Sequence, residues 1–176
     1  MLKGIYRDII RKDTVLQSDS GWRSNRIVSS CDRLLAALLK NTNGISGISY
    51  LAIGTGDKSW DTTPPSPTPD ALHLFKEVKR YPVTNAQISF IDFSEITSAD
   101  PTGTLLITMT ISGSSLTNGT AVQLREFGLF GGNATGNANS GNLIDYIIHP
   151  RIDITPDLTI ERTVKLVFAS GTLKST

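Results

Sequence analysis

Cysteine occurs once in the 176 residues, at Cys31, so no internal disulfide can staple the fold. Val28, Leu34, Leu35 and Leu38 surround that thiol in sequence and make it a buried, inert side chain, not a nucleophile. The only histidines are His73 and His149, too few beside one thiol for a zinc site of Cys/His type. Net charge is +1 and no run of Lys or Arg occurs, which leaves no footprint for a phosphate backbone and no expected nucleic-acid partner. No stretch reaches the ~18 apolar residues of a membrane helix, and MLKGIYRDIIRKD holds no signal-like apolar core. The expectation is a chain made and folded in a cytoplasm, without a membrane.

Catalytic signatures are missing too. No serine sits in a Gly-x-Ser-x-Gly elbow. Gly54-Thr55-Gly56-Asp57 lacks both the third glycine of a dinucleotide fingerprint and the Gly-Lys-Ser/Thr of a P-loop, and a proline tract follows it. The paired acids Asp57 with Asp61, Asp92 with Glu95, and Asp153 with Asp157 lie in turn sequence, where Asp is a turn former. Hydrophobic residues at 39% and charged residues at 19% are both low for a compact soluble enzyme. The chain is expected to be no enzyme and to carry no metal or cofactor.

Ser, Thr, Asn and Gly fill the gap, a composition that favours strands linked by turns. The length suits one domain with a sizeable core. Residues 1–18 place Ile5, Tyr6, Ile9 and Ile10 at helix-compatible spacing, as a short helix or an arm that docks on a neighbour. Asp19 and Ser20 are good N-cap residues ahead of an apolar stripe of Val28, Cys31, Leu34, Leu35, Leu38 and Leu39, which predicts a helix over 19–41. Residues 48–53 and 86–93 read as strands, with the proline tract 61–70 between them. Leu105, Ile107, Met109 and Ile111 alternate along a further strand, and Val164, Leu166 and Phe168 along the last. The predicted fold class is α+β: an N-terminal amphipathic helix packed on a mainly antiparallel β meander or sandwich. Residues 1–44 form the arm and helix, and 45–176 a β-rich unit.

The stretch 121–152 predicts a hairpin, AVQLREFGLFGG and NLIDYIIHPRI around an Asn/Gly loop. Arg125, Glu126 and Asp145 are charges inside apolar strands, costly unless exposed, paired or covered by another subunit. Together with Ile5, Tyr6, Ile9 and Ile10 they are the candidate subunit interface. For Arg125 and Glu126, an intramolecular surface pair is the alternative. A carbohydrate-binding module is a second functional reading, with Trp22, Trp60 and Tyr81 as the candidate aromatics.

Three pieces occur in order: YLAIGTG at 50–56, the Leu72, Glu77, Arg80 segment, and LREFGLFGG at 124–132. Together they resemble the particle-binding N-terminal region of phage tail-collar and tail-fibre proteins and related baseplate components of contractile injection systems. The resemblance covers about residues 45–168. It implies a β-rich virion module, often trimeric, that anchors fibres or neighbouring tail and baseplate proteins. The chain departs from that pattern in having no fibre shaft or receptor-binding tip, and in the helix ahead of the shared region. Those departures imply an adaptor, collar or baseplate component that assembles with itself as a trimer or higher ring. A capsid decoration protein has the same chemistry.

Overall fold

The computed structural model describes residues 2–92 and 94–168; Phe93 and the end of the β-rich unit at 169–176 lie outside them. Twelve strands run in chain order: β1 (Lys3–Lys12), β2 (Val15–Asp19), β3 (Arg23–Ser24), β4 (Arg26–Ile27), β5 (Ser46–Gly54), β6 (Glu77–Pro82), β7 (Ile88–Ile91), β8 (Thr97–Ser98), β9 (Thr104–Ser112), β10 (Val122–Gly132), β11 (Asn142–Ile154) and β12 (Leu158–Val167). Helix α1 (Ser29–Leu39) lies between β4 and β5, and a single turn α2 (Gly113–Leu116) between β9 and β10.

Two antiparallel sheets result. The first has the order β2-β1-β12-β9-β7-β8 with β3 also on β1, and the second β4-β11-β10-β5-β6. Alternation explains the first sheet. Ile107, Met109 and Ile111 on β9 and Ile160, Val164 and Leu166 on β12 all point inward, and all are buried. Facing them from the second sheet are Leu51, Ile53, Phe127, Leu129 and Ile147, in one continuous core. Each such side chain contributes roughly 1.5–3 kcal/mol by leaving water. Tyr6 meets Phe127 edge-on across the two sheets, with ring centroids 5.3 Å apart. A smaller cluster of Val28, Ala52, Leu74, Phe130, Leu143 and Tyr146 covers the other face of the second sheet.

The α+β expectation is therefore corrected. The described chain is mostly β, 50% strand against 13% helical, with two sheets and one helix of seven residues or more. Helix α1 is shorter than the predicted 19–41. It starts after Val28, and Leu39 at its end is 90% exposed. The capping residues serve other purposes. Asp19 lies on β2 and pairs with Arg7, and the Ser20 hydroxyl accepts the Asp8 N–H at 2.8 Å. Residues 1–18, read as a helix or docking arm, form β1 and β2. β1 runs antiparallel to β12 over ten residue pairs, Lys3 opposite Val167 through Lys12 opposite Leu158. Helical spacing misled here because Asp8, a charged residue, is the inward-facing partner between Tyr6 and Ile10.

Candidate functional site

The three segments that carry the family resemblance, far apart in sequence, meet on neighbouring strands. YLAIGTG ends β5, Glu77 and Arg80 lie on β6, and LREFGLFGG is most of β10, with β10-β5-β6 adjacent in the second sheet. The register of β10 against β11 slips between Leu124 and Glu126. Leu124 and Phe127 thereby both reach the core, while Arg125 and Glu126 both turn to the loop that joins β5 to β6.

Glu126 is completely buried and holds that loop. Its carboxylate accepts the backbone N–H of Lys76 at 2.6 Å, of Phe75 at 2.9 Å and of Gly56 at 3.2 Å, together with the Tyr146 hydroxyl. Burial, then the bond to Glu126, pushes the Tyr146 hydroxyl well above the usual phenol range, so it stays a donor. Arg125 grips the other end of the loop. Its guanidinium donates to both Asp61 carboxylate oxygens, at 2.6 and 3.0 Å, and to the Thr55 carbonyl at 3.0 Å. That bidentate pair keeps the Asp61 carboxyl below its ordinary value. On β6, Arg80 forms a fork with Glu77 at 2.5 and 3.0 Å and stacks over Phe130, 4.0 Å from the ring centroid. Its remaining nitrogen donates to the Ser140 carbonyl at 2.8 Å, which ties down the Asn/Gly loop between β10 and β11.

This polar framework underlies a surface groove of about 490 Å³ between the proline tract and the second sheet. Trp60 and Phe75 form one wall, ring centroids 5.3 Å apart and planes tilted by 55°. Phe75 and Leu72 are 64% and 55% exposed there. Gly56 fixes the Trp60 position: its φ is +53°, and a Cβ on it would lie 2.5 Å from the indole ring. Asp57 caps the turn that carries Trp60, its carboxylate accepting the Ser59 N–H at 2.8 Å.

The candidate interface residues divide between interior and surface. Tyr6, Ile10, Arg125, Glu126 and Asp145 are buried within this chain, each with its partners inside it. Neither reading weighed for Arg125 and Glu126 describes them: Asp61 pairs with Arg125, and backbone N–H groups with Glu126. Asp145 accepts the Leu129 N–H at 2.8 Å and the Asn25 amide at 2.6 Å. Ile5 and Ile9 are half-buried on the outer face of β1, opposite Lys165 and Glu161 of β12. Of the aromatics considered for sugar binding, Trp60 lines the groove, Trp22 lies against the Lys165 ammonium and Tyr81 against that of Lys79.

Sequence reasoning missed a second polar cluster, between the sheets. Arg162, His149 and Asp8 share it, with Arg162 and His149 carried by β12 and β11. The signal was present: a charge of opposite sign at an inward position on each of two strands. Among the described residues, no group of three or more His, Cys, Asp or Glu is placed to hold a metal ion, and no helix is long and apolar enough to cross a membrane. Set beside known proteins, the chain matches no family model, no curated protein and no solved structure.

Proposed function

We propose that this chain is a structural component of a phage tail or related injection particle, an adaptor, collar or baseplate element that acts by binding copies of itself and neighbouring tail or fibre proteins. One observation carries the reading. The three resembling segments converge on β5, β6 and β10, and Glu77, Arg80, Arg125 and Glu126 in them are engaged in holding loops in place. A motif whose charges lock loops suits a docking scaffold, whose product is a fixed surface. Apolar side chains also stand on the edges of the sandwich: Val78 on edge strand β6 of the second sheet, and Val15 and Leu16 on edge strand β2 of the first. Neighbouring subunits would cover them in an assembled ring.

An N-terminal docking arm is not part of this proposal, because β1 is an internal strand of the first sheet. Assembly instead uses the outer faces and edges of a finished sandwich. Fractionating lysates of the producing cells on a density gradient tests the location. The protein is expected to travel with tail-bearing particles; recovery only in the slow, particle-free fractions would overturn the proposal.

A further inference from the structure

The groove beside Trp60 has a chemistry that subunit packing alone does not use. We infer that it binds a neutral saccharide. A pyranose ring is amphipathic: its C–H face stacks on an aromatic ring, and its hydroxyls need acceptors and donors around the edge. The Trp60 and Phe75 pair provides the aromatic wall, with Leu72 beside it, and Thr68, Asp70 and His73 line the same groove. One Asp70 oxygen accepts the Ser29 hydroxyl at 2.9 Å, which leaves the carboxylate's other oxygen for a sugar hydroxyl. His73 Nδ1 lies 3.2 Å from the Leu74 carbonyl. With the proton on Nδ1, donated to that carbonyl, Nε2 is the acceptor.

Charge selects the class of ligand. Among the described residues no Lys or Arg lines the groove, while one carboxylate does, so phosphorylated, sulfated and sialylated ligands meet a like charge there. A volume of about 490 Å³ falls in the range of small-ligand sites and holds a short oligosaccharide. The wall is also set before a ligand arrives. Glu126 fixes the Phe75 backbone, and Gly56 with the Asp57 cap fixes Trp60, so little ordering is left to oppose binding. This site is separate from the assembly reading, and its test needs no particle.

The test is a glycan array of neutral and anionic oligosaccharides probed with the intact protein. Calorimetric titration with cellotriose, maltotriose, chitotriose and any array hit follows. At least one neutral glycan is expected to bind saturably. Phe75→Ala and Asp70→Asn, both at exposed side chains, are expected to weaken it about tenfold with an unchanged melting temperature. Trp60→Ala is expected to abolish it. Three results would each overturn the inference: no neutral glycan bound at concentrations up to about 10 mM, anionic glycans preferred, or affinity untouched by Phe75→Ala and Asp70→Asn. A proline-rich peptide that binds the groove where sugars do not would also overturn it, and would assign the aromatic wall to polyproline recognition.

Discussion

Arg162 and Asp8 face one another across β12 and β1, in register, as a buried bidentate pair between the two sheets. Arg162 Nε and Nη2 donate to the two Asp8 oxygens at 2.6 and 2.8 Å. The guanidinium lies 3.5 Å from the centroid of the Phe127 ring, and its Nη2 is 3.4 Å from His149 Nε2. The cation thus bridges the sheets through one strand partner and one aromatic partner from the other side. Asp8→Ala leaves Arg162 buried without its counter-charge and is expected to cost about 3–5 kcal/mol in chemical denaturation. Replacing both members together with apolar residues of similar volume is expected to recover most of that loss. Equal stability of Asp8→Ala and the native chain would contradict the role.

Glu126 is expected to behave as a clamp. Glu126→Ala strands the N–H groups of Gly56, Phe75 and Lys76, and is expected to cost about 3 kcal/mol by the usual penalty for buried unmet donors. Hydrogen exchange reads it locally: the Phe75 and Lys76 amides are expected to exchange much faster in the variant, while those of β9 and β12 keep their relative protection.

Gly56→Ala is expected to displace Trp60. The substitution puts a methyl against the indole and forces an L side chain to φ +53°, a cost of about 1–3 kcal/mol. Near-ultraviolet circular dichroism should lose the Trp60 contribution, with the far-ultraviolet β signal retained.

Two buried groups set opposed pH dependences. Burial holds the Asp145 carboxyl up at about 6, against the lowering effect of its bonds from Leu129 and Asn25. Its folded pKa exceeds the unfolded 3.8, so its contribution to stability is complete below pH 3.8 and lost as pH rises through 6. Burial, then the Arg162 charge, lowers His149 to about 4 from 6.5. The neutral imidazole belongs to the fold, so that contribution is complete above pH 6.5 and lost as pH falls through 4. Between pH 4 and 6 the two slopes oppose one another. His149→Asn is therefore expected to gain stability as pH falls through that window, and Asp145→Asn to lose it, each by roughly 2–3 kcal/mol. Asp19 and Asp157, held at about 2 by surface partners, act below the window. Parallel slopes in the two variants would contradict the assignment.

Local pattern made β5, β9, β12 and the β10–β11 hairpin legible, because each alternates or is bounded by Gly and Asn. β1 was not legible: Ile5, Tyr6, Ile9 and Ile10 satisfy a helical period as well as a strand period. Only pairing with β12, some 150 residues away, decides between them. The same distance hid the site. Arg125 and Glu126 are conspicuous as charges in an apolar strand, but Asp61, Phe75 and Lys76, which satisfy them, are 50 or more residues off. The predicted N-cap at Asp19 and Ser20 is sound local chemistry that β1, offering Arg7 and the Asp8 N–H, put to another use.

Light scattering of the purified chain over a wide concentration range tests the assembly reading most directly. The account predicts a defined multiple of the single-chain mass, three or more copies in a closed ring, that falls toward monomer when the exposed Val15, Leu16 and Val78 are replaced by serine. A single-chain mass at every concentration, unchanged by those substitutions, would contradict it.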